Sequence, residues 1–462
     1  MIEGLKPYAE YKESGLPWLG KVPAHWVTKR GKSYMSPIDR RSQAGKEELL
    51  TVSSARGVIP RNTAKVTMFK AESYTGYKLC WPGDLVINSL WAWGGGLGVT
   101  QHHGIISTAY SVYRPRPSAQ MNPRFLHELV RSSAFHWELQ IRSKGVWISR
   151  LQLTDTSFLD APIPLPPPDE QSAIVQFLDH ANRKIDGFIR AKRKLIGLLN
   201  EQKQAIIHRA VTRGLLPDVP LKPSGITWLG DIPDGWETIP IKRVASVLNG
   251  FAFSSEIYTS SGIPLIRIGD VKSSGSVDIE HAAKLPGDYL ASHSFVEIKR
   301  GDLVMAMTGA TIGKVARYTH DCPSLLNQRV CAFRSRPGRA TQEYLFLLLS
   351  SRLYLQQVLM ACYGGAQPNI SDSTLAGFKM PIAPFDLQNE IVASVASETQ
   401  PLTAAIARTE REIALMQEYR TRLTADLVTG KFDVREAVAK LPAPPTDAVI
   451  GLMEKVETDS AS

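Results

Sequence analysis

Two short segments contain residue types that bind phosphate or metal ions in other proteins. Gly309-Ala310-Thr311-Ile312-Gly313-Lys314-Val315 is similar to a phosphate-binding loop, but three residues separate its glycines instead of four, and Val315 stands where a magnesium-binding Ser or Thr belongs. His102 and His103 are adjacent, so on a strand their side chains point to opposite faces and make a poor metal site. Neither segment predicts a working centre.

Three further segments could serve an enzyme acting on nucleic acid. Asp278, Glu280 and Lys284 could be imagined as a nuclease cluster, but a solvated run of charges is the ordinary explanation. Asn122-Pro123-Arg124-Phe125 is similar to the Asn-Pro-Pro-aromatic motif of adenine methyltransferases, except that an arginine replaces the second proline. Gly94-Gly95-Gly96-Leu97-Gly98 follows a tryptophan-rich loop and predicts a turn instead of a glycine motif for S-adenosylmethionine. We therefore predict no catalytic, cofactor or metal site in this chain.

The composition favours a polyanionic partner. The 462 residues carry a formal net charge of +10 and a pI near 9.3, and each phosphate that a protein neutralises releases bound counterions. The four cysteines form no CxxC pair, which argues against a disulfide framework or a structural zinc site. Since neither a membrane-spanning run nor a signal peptide is apparent, we expect a cytoplasmic protein.

The chain repeats itself. GLPWLG at residues 15–20 recurs as GITWLG at residues 225–230, and GDLV at residues 83–86 recurs at residues 301–304. The proline-rich segments at residues 164–171 and 381–388 are separated by 217 residues, and each ends in glutamine. An ordered series of such pairs indicates two copies of one unit of roughly 210–220 residues.

Each unit combines a globular part with a long helix. Gly and Pro break short strand-like runs in the globular parts, which also contain helical stretches, so we predict an α+β fold. The predicted strands are Asp84–Asn88, Ser111–Tyr113, Leu265–Ile268, Asp302–Met307 and Arg329–Phe333, and the predicted helices are Pro123–Leu139 and Gln342–Met360.

After each proline block, a heptad pattern of about 45 residues predicts one uninterrupted helix. The two helices could lie separately on their own domains, but their matching apolar stripes favour an antiparallel coiled coil that separates the globular parts. The first seam is Ile174, Leu178, Ala181, Ile185, Phe188, Lys192, Leu195, Leu199, Gln202 and Ile206. The second seam is Val392, Val395, Thr399, Leu402, Ile406, Thr409, Ile413, Met416, Arg420, Leu423 and Leu427.

These patterns predict a domain order. An opening segment (1–26) precedes the first globular domain (27–165) and the central helical region (166–216), and a second opening segment (217–239) precedes the second globular domain (240–382) and the C-terminal helical region (383–435). Residues 436–462 are predicted to be a disordered tail.

The assembled pattern resembles the specificity subunits of type I restriction-modification systems over nearly the whole chain, up to about residue 435. The opening segment from Lys6 to Trp26, the stretch Gly83–Pro117, and the second-half motifs GIPLIRIGD (262–270) and GAQPNIS (365–371) are similar to family patterns. The first half carries GVWIS (145–149) in place of GAQPNIS, so any role of Gln367 or Asn369 need not transfer to it.

The resemblance implies two target-recognition domains, each reading one half of a split double-stranded DNA site. It also implies that the helices dock two modification subunits, which bind S-adenosylmethionine and methylate adenine, and that two restriction subunits add an ATP-dependent nuclease. S-adenosylmethionine, ATP and magnesium would then belong to the partners and not to this chain. A self-contained DNA methyltransferase or nuclease, and a coiled-coil scaffold that binds every duplex alike, remain alternatives.

The candidate DNA-binding residues are loop side chains of the types that pair with base edges, stacking aromatics, and a basic helix face. A solvated surface group or a phosphate contact is the simpler interpretation of each polar one, and core packing or a subunit contact that of each tryptophan. In the first domain they are Arg56, Arg61, Asn62, Trp91, Trp93, Gln101 and His102. In the second domain they are Lys272, Lys314, Gln328, Arg329, Gln367 and Asn369. On the first long helix, where they would contact phosphates, they are Arg183, Lys184, Arg190, Lys192, Arg193 and Lys194, with Lys203 and Arg209 further along.

Overall fold

The chain folds into two units of mixed helix and strand. The computed structural model describes residues 5–64, 71–145, 151–272, 274–362 and 369–442. One unit comprises the described parts of Met1–Ala191 and Arg411–Ser462, and the other comprises those of Lys192–Glu410. The α+β prediction is confirmed.

The described strands are short, and most pair antiparallel. In chain order they are β1 Tyr11–Glu13, β2 Lys21–Pro23, β3 Val27–Arg30, β4 Met35–Pro37, β5 Leu50–Ser53, β6 Gly57–Pro60, β7 Lys78–Cys80, β8 Leu85–Asn88, β9 Leu97–Val99, β10 Gly104–Ile106, β11 Tyr110–Pro115, β12 Pro162–Leu165, β13 Leu221–Pro223, β14 Asp231–Pro233, β15 Glu237–Pro240, β16 Ala245–Asn249, β17 Ile263–Ile266, β18 Ala283–Leu285, β19 Glu297–Ile298, β20 Leu303–Ala306, β21 Val315–Arg317, β22 Ser324–Leu326, β23 Val330–Ser335 and β24 Lys379–Ile382.

The described α-helices include two of exceptional length. They are α1 Gly31–Tyr34, α2 Pro123–Arg131, α3 Ser133–Arg142, α4 Asp155–Leu159, α5 Pro168–Arg213, α6 Tyr289–Ser292, α7 Gln342–Ser350, α8 Arg352–Ala361, α9 Asp372–Gly377, α10 Phe385–Val428 and α11 Arg435–Ala439.

Each globular domain is built around one four-stranded antiparallel sheet. Its order is β4-β11-β8-β9 in the first domain and β16-β23-β20-β21 in the second. In both domains the two helices that follow the sheet, α2 and α3 or α7 and α8, contribute to the core. The second domain adds the sheet β18-β17-β22-β19, in which β17 and β22 run parallel.

The repeated GDLV motif has the same structural role in both domains. The carboxylate of Asp84 accepts two hydrogen bonds from the Arg114 guanidinium, at 2.7 and 2.8 Å, and Asp302 accepts two from Arg334, at 2.8 and 2.7 Å. Both carboxylates are buried, and bidentate pairing of this kind compensates the cost of burying the charge. The ion pair joins the start of the central strand, β8 or β20, to the neighbouring strand, β11 or β23.

The predicted helices Pro123–Leu139 and Gln342–Met360 are each broken by a serine. The Ser132 hydroxyl donates to the carbonyl of Leu129 and accepts from the amide of Phe135, so it ends α2 and begins α3. Ser351 ends α7 and begins α8 by the same two types of bond. Serine competes well for helix-terminal backbone groups, and the apolar periodicity alone does not reveal this.

The glutamines that end the two proline-rich segments are fully buried and make equivalent bonds. The amide oxygen of Gln171 accepts from the Asn122 backbone amide at 2.7 Å, and that of Gln388 accepts from the Thr341 amide at 2.8 Å. Asn122 and Thr341 are the residues that cap α2 and α7. Each glutamine therefore fastens the start of a long helix to the start of α2 or α7 in its own domain.

The long helices α5 and α10 pair antiparallel. In the first unit Arg420 donates to Asp186, and in the second unit Lys203 donates to Thr403 at 3.1 Å and Arg209 to Glu398 at 2.7 Å. Partner numbers fall on one helix as they rise on the other, which confirms the antiparallel coiled coil.

The coiled coil departs from the predicted heptads in three ways. α10 contains Pro401, which the heptad pattern did not take into account. Ile189 and Ile207 are buried, one residue beyond the predicted Phe188 and Ile206, and Leu195 is 40% exposed. A helix of 3.6 residues per turn drifts by about 20° per heptad, which moves the buried stripe away from strict seven-residue spacing.

In the first unit the N-terminal segment packs against the start of α5 and against the chain that follows α10. The buried carboxylate of Glu170 accepts from Trp26 Nε1 at 2.7 Å and from the Tyr8 hydroxyl. Beyond α10 the chain returns along this segment, where the Asp433 amide donates to the Lys6 carbonyl at 2.7 Å. Residues 436–439 of the predicted disordered tail are therefore wrongly assigned, because they belong to α11; residues 443–462 lie outside the described residues.

Among the described residues, no single helix has the length and apolar composition to cross a membrane. The bent pair α7 and α8 passes that test only when the two are taken together. Much of its apolar surface lies in the core of the second domain.

Candidate nucleic-acid interface

The four-stranded sheets of the two domains are built alike at one end, where the central strand stops. In the first, the Leu153 amide donates to the Ser89 carbonyl at 2.9 Å, just after β8 ends; in the second, the Ile370 amide donates to the Met307 carbonyl at 3.1 Å, just after β20 ends. We call these two sites the recognition edges. Each edge also includes the start of the neighbouring antiparallel strand, β11 or β23, because residues at opposite ends of paired antiparallel strands are adjacent.

The Arg131 guanidinium holds together the two loops of the first recognition edge. It donates to the carbonyls of Leu97 at 2.7 Å and Gly95 at 3.3 Å, and, on the neighbouring loop, to those of Ser54 at 2.7 Å and Ser53 at 3.4 Å. Burial lowers the pKa of Arg131 from its ordinary value, and an arginine guanidinium keeps its charge near neutral pH. The backbone of both loops is therefore fixed by one cation.

His127 lies one helical turn before Arg131 on α2 and contacts the same loops. Its Nδ1 accepts from the Val99 amide at 3.2 Å, and its ring contacts Gly57 and Gly98 so closely that a side chain at either glycine would collide with it or crowd it. Burial, with a further contribution from Arg131, lowers the pKa of His127 to about 4. The imidazole is consequently a neutral acceptor at physiological pH.

The structure brings three of the predicted first-domain residues to this edge. Arg56 lies exposed on the β5–β6 turn and donates to the Thr63 carbonyl at 2.7 Å. Trp91 and Trp93 follow β8, with ring centroids 4.6 Å apart, and Trp91 is 47% exposed. Trp91 also packs over Gly94 and Gly96, where any side chain would meet its ring. The glycine-rich loop is thus shaped around an aromatic platform.

The other predicted first-domain residues lie elsewhere. Gln101 and His102 follow β9 at its far end, and His102 lies 3.9 Å from Glu48. Arg61 and Asn62 follow β6, also at the end opposite Arg56. Three residues of β9 place Gln101 and His102 roughly 10 Å from the recognition edge, whereas the Arg56 guanidinium reaches the Thr63 carbonyl, next to Arg61 and Asn62.

In the second domain Gln328 and Arg329 lie exposed on the turn before β23. The Arg329 carbonyl accepts from the Met307 amide at 3.0 Å, which places this turn on the recognition edge. Asn369 is exposed on the same edge and forms a β-bridge with Thr308. Gln367 lies outside the described residues.

Lys314 lies in the β20–β21 hairpin loop, on one flank of the second edge. With Lys272, Lys203 and Arg317 it lines a groove of about 680 Å³ within the second unit. Lys272 is partly neutralised there by Asp278 at 3.3 Å, and Arg317 by Glu343 at 3.0 Å.

The basic residues of α5 differ in exposure. Arg183, Lys184, Arg193 and Lys194 are exposed, as is Arg190, whereas Lys192 is partly buried. Lys203 and Arg209 pair with α10 and so belong to the coiled coil. Desolvation, together with the positive charge of Lys184 and Arg183, lowers the pKa of His180 on this helix.

The enzyme-like segments have structural roles. The segment Gly309–Val315 is a hairpin loop between antiparallel strands, where a phosphate-binding loop needs a strand followed by a helix. The Asn122 side chain caps α2, and Asp278 accepts from His281 and pairs with Lys272, contacts that lower its pKa to about 2. His103 lies against the Trp81 ring. In the described part of the chain, no group of three or more His, Cys, Asp or Glu side chains could hold a metal ion.

Sequence reasoning missed five residues at or beneath the two edges. Arg131 and His127 act through backbone atoms distant in sequence, which no spacing reveals. Gln152, which precedes Leu153, could have been found by aligning it with Asn369 at the shift of 217 residues. The other two are exposed phenylalanines of the second domain, Phe251 and Phe295.

Comparisons with known proteins agree with this architecture. Residues 233–412 match the family model described as type I restriction modification DNA specificity domain. The type I restriction enzyme MjaVIII specificity subunit of Methanocaldococcus jannaschii is 27% identical over 301 residues, covering 64% of this chain and 68% of the relative. The type I restriction enzyme EcoBI specificity subunit of Escherichia coli is 28% identical over 211 residues, covering 45% of this chain and 41% of the relative.

A solved structure from work on complex assembly and conformational transition of the type I R-M system shares the fold. Its TM-score is 0.59 at 18% identity, and the match covers 89% of this chain and 99% of that one. Two similar domains joined to an antiparallel helix pair, one of them matching a DNA specificity domain, define a DNA-recognition subunit. The chain is similar to type I restriction-modification specificity subunits, which are non-catalytic, as the sequence predicted.

Proposed function

We propose that this chain reads a bipartite, asymmetric DNA target, with one recognition domain for each half. One observation supports this most directly. The two recognition edges share their backbone frame, down to the hydrogen bond after the central strand, yet they present different side chains. Trp91 and Arg56 stand on the first edge, whereas Gln328 and Arg329 stand on the second. Two domains that share a backbone frame but present different side chains suit a DNA site whose two halves differ in sequence.

The partners follow from the same proposal. The paired helices would dock two modification subunits, which would bind S-adenosylmethionine and methylate adenine in each half-site. Two restriction subunits with ATP and magnesium would complete a nuclease. The exposed cations of α5 would contact phosphates between the half-sites, where charge contributes affinity without sequence preference. Such a complex would act on DNA in the cytoplasm.

Exchange of the first domain tests the assignment. Residues 30–160 would be replaced by the corresponding domain of another family member, leaving intact most of the ribbon in which β3 pairs with β12. Genome-wide mapping of methylated adenines in cells carrying the modification subunits should show one half of the target changed and the other retained.

The matched control is the reciprocal exchange in the second domain, with junctions in the equivalent ribbon of β15 and β24. It should change the other half only. A change in both halves from a single exchange, or an unchanged target from an active complex, would disprove the one-domain, one-half assignment.

A further inference from the structure

An aromatic surface borders the second recognition edge. Phe251 and Phe295 are 41% and 57% exposed, with ring centroids 5.9 Å apart and planes nearly perpendicular. The His293 ring lies between 5.1 and 5.8 Å from both and stacks on Tyr289. Contiguous exposed apolar side chains are typical of surfaces that a ligand or partner covers. We refer to Phe251 and Phe295 as the aromatic pair.

The aromatic pair is attached to the residues that present Gln328 and Arg329. The Phe251 amide donates to the Leu326 carbonyl at 2.9 Å, and the Gln328 amide donates to the Phe251 carbonyl at 3.0 Å. Gly250 approaches the Asn327 carbonyl so closely that a side chain at Gly250 would collide with it. Phe251 and the polar turn therefore form one hydrogen-bonded element.

The charges nearby do not favour a phosphate-binding role. The loops that carry the two phenylalanines also carry exposed acids, Glu256 and Asp288, which would repel a phosphate backbone. Base edges in the major groove present a different chemistry, since thymine offers an apolar methyl group beside the acceptors and donors of its neighbours. Phenylalanine contacts that methyl, glutamine pairs with adenine, and arginine pairs with guanine.

We propose that the aromatic pair contacts thymine methyl groups in the half-site read by the second domain. This inference rests on the proposed function, because a half-site that contains a methylated adenine necessarily contains an A·T pair and so a thymine. Phe251 and Phe295 would add an apolar contact to the hydrogen bonds made by Gln328 and Arg329. The second domain then distinguishes A·T-containing steps partly by shape and methyl position.

Deoxyuridine tests the contact because it pairs with adenine as thymine does but lacks the methyl group. Binding of the complex of this chain with its modification subunits would be measured on duplexes of the mapped target, with thymines replaced by deoxyuridine in one half or the other. Affinity should fall about fourfold for each buried methyl removed from the second half-site. Any loss of affinity caused by replacement in the first half-site should be the same whether or not the aromatic pair is present.

The variants Phe251→Ala and Phe295→Ala should bind thymine DNA more weakly and lose the discrimination between thymine and deoxyuridine. Phe385→Ala is the matched control, because Phe385 is 42% exposed at the start of α10, away from the recognition edge. It should keep the wild-type ratio. The wild-type measurement needs no variant, so a misfolded substitution leaves the test intact.

Two results would overturn the inference. Wild-type complex that binds thymine and deoxyuridine half-sites equally would show that no methyl is read. Alanine variants that assemble with the modification subunits and keep the thymine preference would show that the aromatic pair does not contact the methyl group. Failure of the proposed function would look different, because the complex would then show no preference for the bipartite target at all.

Discussion

Acidification should weaken the first recognition domain through His127. The folded domain holds this imidazole neutral, with a pKa of about 4 against 6.5 for the free side chain. Between these values the unfolded chain binds a proton that the folded chain does not. The contribution of His127 to stability is therefore complete above pH 6.5, and it is lost as the pH falls from 6.5 towards 4.

The size of the effect follows from the two pKa values. From pH 7 to pH 5 this single group should reduce the free energy of unfolding of the first domain by about 2 kcal/mol. Protonation also removes the acceptor for the Val99 amide, so the recognition loops above it should loosen. The second domain has Phe346 at the position 219 residues later, and it should not show this dependence.

Urea unfolding of the wild type and of His127→Asn, at pH 7, 6 and 5, isolates the contribution. Asparagine can accept the Val99 hydrogen bond through its amide oxygen but does not titrate. The wild type should lose about 2 kcal/mol more than the variant over this range, and hydrogen exchange at Val99 should accelerate in the wild type alone. Parallel losses in both proteins would refute the assignment of a buried neutral histidine.

Three further outcomes are expected. Arg131→Met removes the donor of four carbonyls and should destabilise the first domain by about 2–4 kcal/mol in urea unfolding, with methylation lost at the target of the first domain. Heptads inserted together near Leu199 and near Ala407 keep the pairing register and lengthen each helix by about 10.5 Å; methylation mapping should show about three more unspecified base pairs and the same specified bases. The purified chain should neither methylate nor cut DNA when S-adenosylmethionine or magnesium is supplied, as followed by methyl incorporation and gel electrophoresis, and methyl transfer without partners would contradict this.

Much of the frame was predictable because it depends on local chemistry that occurs twice. The GDLV motif and the terminal glutamine of each proline block indicated that Asp84 and Gln171 recur, although their partners Arg114 and Asn122 were found only in the structure. Periodicity located the helices but not the break at Ser132, because a capping hydroxyl leaves the apolar pattern unchanged.

The recognition edges were less predictable because strand direction decides which loops meet. Gln101 lies two residues beyond Val99, yet a short strand sends it to the far end of the sheet, whereas Arg56, more than thirty residues before Trp91, shares its edge. Arg131 closes that edge through carbonyl groups of two separate loops. Such contacts depend on backbone atoms, which every residue type possesses, so the sequence contains no signal for them.

The paired glutamines have a consequence for how such a gene can change. Because Gln171 and Gln388 fasten their domains through the same amide geometry, the DNA encoding each domain is bounded by equivalent junctions. Recombination between two such genes, or between the two halves of one, can then exchange a whole domain while this buried contact is preserved, because it uses a backbone amide that every residue except proline supplies. Specificity can diversify in single genetic steps, and the helices need not evolve with it.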